Sequence, residues 1–158
     1  MDGDTLKRLE TVLDSEIEAA NSLATTLAAE RTALTGDSVD AVTATAAQKI
    51  ELFQKIERIE GQRRELCQKA QISLPPSRRG VTPIAAGVTE QIADRWRTLL
   101  DVIAGCRTAN EVNGYIINAR RGQVGQLIQI LRGAGNAPIT YGPGGRTHSK
   151  SHRALARA

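Results

Sequence analysis

Apolar side chains return every three or four residues through most of this chain, the spacing that lines one face of an α-helix. Leu6, Leu9, Leu13, Ile17, Ala20, Leu23 and Leu27 form the first such row. It predicts a helix from an Asp4 cap to about Leu34, closed by Gly36, where a left-handed C-cap costs glycine little. Asp37 or Ser38 then caps a second helix, about Val39 to Ile72, through Val42, Ala46, Phe53, Ile56, Ile59, Leu66 and Ala70. So short a turn sends the chain back antiparallel, giving an αα-hairpin over residues 1–72. The other side of the second helix holds Glu51, Lys55, Glu57, Arg58, Arg63 and Arg64, and reads as a solvated face laced with ion pairs.

Pro75 and Pro76 remove backbone donors and exclude helix, so residues 73–88 read as a Pro/Gly linker. Thr82 before Pro83 and, later, Thr89 both offer a start for a third helix. Its row is the longest: Ile92, Trp96, Leu99, Ile103, Cys106, Asn110, Asn113, Ile117, Arg120, Val124, Leu127 and Leu131 alternate steps of four and three. That is a coiled-coil spacing, and the helix expected over residues 89–132 extends roughly 60 Å. The expected fold is all-α: an elongated antiparallel three-helix bundle, built as a coiled-coil-like hairpin plus a long third helix. One structural domain covers residues 1–132, and a flexible basic tail follows over residues 133–158.

The third row changes character at Asn110 and Asn113. An Asn buried in a seam costs stability and fixes register or partner, whereas one on a helix that outruns its neighbours is simply wet. Gly114, Gly122 and Gly125 follow, each weakening a helix interior by about 1 kcal/mol relative to Ala. Yet Ile116, Ile117, Val124, Leu127, Ile128, Ile130 and Leu131 stay apolar. A helix both weak and apolar is stabilised by a partner it docks on, or packs closely against another helix through its small residues.

Composition sharpens this picture. Hydrophobic residues make up 41% of the chain but aromatics only 3%, which suits narrow seams of Ala, Leu, Ile and Val. Residues 1–74 carry 13 acidic against 9 basic side chains, and residues 75–158 carry 4 against 12, with no acid after Glu111. A basic C-terminal part can attract nucleic acid, anionic lipid or an acidic protein surface, or be a solvated terminus. Cys67 and Cys106 read as reduced core residues. No run of residues is long and apolar enough to span a membrane, and Met1-Asp2-Gly3-Asp4 is unlike a secretory signal, so a cytoplasmic location is expected.

Catalytic chemistry finds no constellation. His148 and His152 lack a neighbouring Cys or carboxylate to complete a metal site. Gly133-Ala134-Gly135 and Gly142-Pro143-Gly144-Gly145 follow a helix rather than a strand, the reverse of a phosphate loop. Glu57, Glu60 and Glu65 spread along a solvated helix with no sign of burial. Neither cofactor nor metal is expected. The basic tail has no stacking platform around Tyr141 and the chain has no recognition helix, which argues against a nucleic-acid partner.

The segments Ile92-Ala93-Asp94-Arg95-Trp96 and Asn110-Glu111-Val112-Asn113-Gly114-Tyr115-Ile116-Ile117 carry a resemblance. So do the Leu-rich helix end, Thr140-Tyr141-Gly142-Pro143-Gly144-Gly145, and Glu30-Arg31-x-x-Leu34 before the first turn. Together they resemble the FlgN family, cytosolic chaperones of the flagellar type III export system, over nearly the whole chain. The resemblance implies a non-enzymatic protein that binds hook-associated proteins, prevents their premature association and delivers them to the cytoplasmic domain of the membrane export gate. It implies a substrate stripe at Asn113, Gly114, Ile117, Val124, Leu127 and Leu131, and gate contact at Tyr141 and Gly142. Gly122 and Gly125 depart from the family pattern. A structural coiled-coil adaptor is the alternative that the periodicity alone equally fits.

Overall fold

The computed structural model describes residues 3–36, 38–74 and 88–131. They form three helices, α1 Gly3–Thr35, α2 Val39–Ala70 and α3 Glu90–Leu131, and among the described residues no strand. The chain divides into two compact units, residues 1–119 and residues 120–158. The first holds α1, α2 and α3 as far as Ala119. In the second, the described residues are the helical ones from 120 to 131.

Local chemistry sets most of the helix ends. Ser38 is in extended backbone and its hydroxyl accepts the Ala41 N–H, capping α2. Of the two starts open to α3, the described one is Thr89, whose hydroxyl accepts the Ile92 N–H at 3.3 Å. Asp4 lies within the first turn of α1 rather than before it, where a negative charge still meets the positive end of the helix dipole. Gly36 donates its N–H to Thr32 O at 3.0 Å but is not left-handed. The left-handed cap falls instead on Gln71, φ 56° and ψ 35°, after α2. A non-glycine residue adopts that conformation at a cost of about 1 kcal/mol. In return Ile72 N–H reaches Cys67 O at 2.9 Å and the Ile72 side chain turns into the core.

Cross-helix contacts within the first unit fix the directions. Lys49 meets Glu30 across 19 positions and Arg63 meets Glu16 across 47, a separation that widens away from the turn, so α1 and α2 are antiparallel. Cys106 Sγ reaches Ala20 O and Asn113 reaches Leu27 O, both across 86 positions, so α3 runs parallel to α1. Leu9, Leu13, Ile92, Trp96 and Leu99 centre one core cluster, and Leu23, Leu27 and Cys106 a second. Fully buried Leu9, Leu13, Leu27 and Leu99 each contribute about 2 kcal/mol of transfer free energy.

The rows that point inward are not quite those expected. On α1 the buried row is Leu9, Leu13, Glu16, Ala20, Leu23, Leu27, Glu30 and Leu34, strict steps of four and three with two carboxylates inside it. On α2 the inward row is Thr45, Lys49, Leu52, Ile56, Ile59, Arg63, Leu66 and Ala70, all buried or half-buried. Arg63, expected on the solvated face, is therefore a core residue. Phe53, expected in the core, is 46% exposed. Glu16 and Glu30 stand 14 positions apart on α1, as do Lys49 and Arg63 on α2, so both acid–base pairs form only in one antiparallel register. A slip by one heptad would set Glu16 against Ile56 and bury two charges unpaired, which is strongly unfavourable.

Candidate functional site

Asn113 ties α3 to α1. It is 1% exposed, and its Nδ2 donates to Leu27 O at 2.9 Å and to Glu30 Oε2 at 2.8 Å. Its Oδ1 accepts from Arg31 Nε at 3.3 Å. Glu30 Oε1 in turn receives Lys49 Nζ at 2.6 Å, so one buried carboxylate is satisfied from both α2 and α3. Asn110 differs: it is exposed, with its Oδ1 3.5 Å from Lys49 Nζ. Of the two readings of these asparagines, Asn113 takes the register role and Asn110 the wet one.

Glu16 is the centre of a second polar group. Arg63 Nε donates to Glu16 Oε2 at 2.8 Å, and the same guanidinium lies 4.6 Å from the centroid of the Trp96 ring. Burial raises the Glu16 carboxyl above its ordinary value, and the Arg63 hydrogen bond and charge oppose that rise. Cys67 and Cys106 are free and buried, and burial raises both thiols, so neither presents a ready thiolate. Among the described residues no cluster of side chains could hold a metal ion. His148 and His152 lie outside them.

The expected stripe divides at Asn113. That residue is buried in the bundle and is unavailable to a partner while the three helices stay together. Gly114 is half-buried and Ile117 exposed, both in the first unit. In the second unit Val124, Leu127, Ile128 and Ile130 are all exposed, Leu127 to 58%. Val124, Leu127 and Ile128 share one helical face. The side chain of Leu131, with Tyr141 and Gly142, lies outside the described residues. A Cβ built on Gly114, Gly122 or Gly125 meets nothing within 4 Å, so among the described residues these glycines mediate no close helix packing. That leaves their cost in helix stability.

A groove of about 910 Å³ opens within the first unit. Its floor is Ala20, Leu23 and Leu27 of α1, and its walls include Phe53 and Ile56 of α2 and Leu100 and Ile103 of α3. Sequence reading missed it, since three helices must be placed before a gap between two of them exists. Only Phe53, a large apolar residue one position off the strict inward row, hinted at it.

The FlgN protein family matches residues 1–149. No curated protein and no solved structure matches the chain.

Proposed function

This chain belongs to the FlgN family of flagellar export chaperones, and we propose that it is a cytoplasmic, non-enzymatic carrier of hook-associated flagellar proteins. It holds them apart before export and presents them to the cytoplasmic domain of the membrane export gate. The observation that carries this reading is the exposed apolar row on α3. Beyond Asn113 no described side chain is buried, yet Val124, Leu127, Ile128 and Ile130 remain apolar. Isolated exposed apolar residues are ordinary, but Val124, Leu127 and Ile128 together on one helical face make a surface that excludes water only when covered. An amphipathic helix of a client covers it in the helix-in-groove manner, and the family resemblance adds Gly114, Ile117 and Leu131 to the client contact.

Gly122 and Gly125 fit a reversible interaction. Each weakens the helix by about 1 kcal/mol relative to Ala, so part of the contact energy goes into ordering it, and release needs no chemistry. Among the described residues no helix is long and apolar enough to cross a membrane. Gate contact rests on Tyr141 and Gly142, carried over from the family motif.

Calorimetry with a purified hook-associated protein tests the client surface. Leu127→Asp with Leu131→Asp should abolish binding while circular dichroism shows the bundle intact; unchanged affinity would refute the assignment. Tyr141→Ala should leave client binding intact and weaken capture by the gate domain. Normal gate capture by that variant removes the tyrosine from the mechanism.

A further inference from the structure

We propose that the groove between α2 and α3 is a second docking seat, separate from the α3 end, for a partner helix of about four turns whose apolar face is flanked by acidic residues. On α3 the groove wall runs from Trp96 to Asn110, 14 positions or about 21 Å of helix, and on α2 from Phe53 to Gln68. Leu23, Leu27, Phe53, Ile56, Leu100 and Ile103 make most of its lining apolar, and at about 910 Å³ it has the capacity of a typical ligand site.

From Phe53 an apolar row continues along α2. Val39, Ile50 and Phe53 are exposed to 76%, 58% and 46%, and with half-buried Val42 and Ala46 they make one row on α2 at helical spacing. This row adjoins the inward row without being part of it, and at Val39, Ile50 and Phe53 it stays exposed. Phe53 belongs to both, as a wall of the groove and as an exposed member of the row.

Charge selects the occupant. Glu16 is buried against Arg63 and Glu60 pairs with Arg64, so the acids of the groove are already engaged. Arg64 stays 73% exposed despite its pair, and Arg107, exposed at the lip, has no ion pair or hydrogen bond among the described residues. The groove therefore presents a surplus of positive charge. The segments of this chain outside the described helices cannot answer it: residues 75–87 hold Arg78 and Arg79, residues 132–158 hold four Arg and one Lys, and neither holds an acid. A second copy seated groove to groove would oppose like charges. An acidic-flanked helix from another polypeptide satisfies both the apolar walls and the lip.

Trp96 is the sole tryptophan and lines the groove, so the full-length protein reports its own occupancy. The probes are two synthetic 14-residue amphipathic peptides, identical on their leucine face and flanked either by Glu or by Lys. Titration followed by Trp96 fluorescence at low salt should show the Glu peptide binding at least tenfold tighter. Phe53→Glu or Ile50→Glu should weaken it at least tenfold, Arg107→Glu should reverse the preference between the two peptides, and Leu127→Asp should change nothing. Arg107 is exposed and has no ion pair among the described residues, so its variant keeps the test decisive even where Phe53→Glu disturbs the fold. The proposal is overturned by equal binding of both peptides or by no fluorescence response to either. It is also overturned by loss of binding on Leu127→Asp, which would return the peptide to the α3 end. A dimer in sedimentation that dissociates on Ile50→Glu would overturn it too, by making a second copy the occupant. Failure of the client assignment at Leu127 leaves this seat standing, and the reverse also holds.

Discussion

Replacing Arg63 by Met removes the guanidinium that donates to Glu16 inside the bundle. Glu16 is 2% exposed and its Oε2 accepts from Arg63 Nε at 2.8 Å, so the variant leaves a carboxylate buried without its counter-ion. Removing one partner of such a pair costs about 3–5 kcal/mol, a large share of the roughly 5–15 kcal/mol that holds a domain folded. Met keeps much of the volume over Trp96, so lost packing is a minor part. The double variant Glu16→Leu/Arg63→Met removes both charges and should recover to within about 1 kcal/mol of the parent, because replacing a buried pair by apolar residues is often neutral. Urea unfolding followed at 222 nm measures all four corners of this cycle.

Acidity supplies an independent check on the same variant. Burial already raises the Glu16 carboxyl, and Arg63 opposes that shift, so its loss raises the folded-state value further. A carboxyl whose pKa is higher folded than unfolded contributes most at low pH, and that contribution is lost as pH rises through the folded value. The deficit of Arg63→Met should therefore shrink between pH 7 and pH 5, and the double variant should show no such change. A single-variant cost below about 1 kcal/mol, or additivity of the two single costs, would show that the pair does not hold the register.

Asn113→Ala leaves the Leu27 carbonyl and Glu30 Oε2 without their Asn113 donor and should lower stability by about 1–3 kcal/mol in thermal unfolding. Asn113→Asp should be worse at neutral pH, because the introduced carboxylate faces Glu30, and it should recover on acidification as the introduced carboxylate takes up a proton. A variant as stable as the parent would remove Asn113 from the inter-helix tie. Gly122→Ala and Gly125→Ala add a methyl group into open space, so each should strengthen the α3 end by about 1 kcal/mol. Amide exchange over residues 120–131 should slow in both; unchanged exchange would mean the glycines do not set the strength of that helix.

Much of the architecture is legible in the sequence because its signals are local. Three helices, a cap at Asp37 or Ser38, a third start at Thr82 or Thr89 and a stop near Ile72 ahead of Pro75, two residues past the observed end at Ala70, follow from caps, prolines and apolar spacing within a few residues. For the end of α3 the chain left two readings open, a helix docked on a partner or one packed closely through Gly114, Gly122 and Gly125. The buried charges were less visible. Glu16 sits three after Leu13 and four before Ala20, in step with the apolar row, and Glu30 stands likewise between Leu27 and Leu34. That spacing was the available signal, but an acid in an apolar row looks like an interruption until its partner is known.

That partner is what the tertiary structure decided. Helical periodicity alone permits either of two overlapping rows on α2, one through Phe53 and the other through Lys49 and Arg63. Only opposing α1 selects between them, because Glu30 and Glu16 need Lys49 and Arg63 at 2.6 and 2.8 Å. The choice turns Phe53 outward and opens the groove, and it sends Asn113 inward while Asn110 stays in water. Propensity and capping act over a few residues and are written in the chain itself. The pairing of charges 19 and 47 positions apart is written nowhere locally, and it exists only once the helices meet.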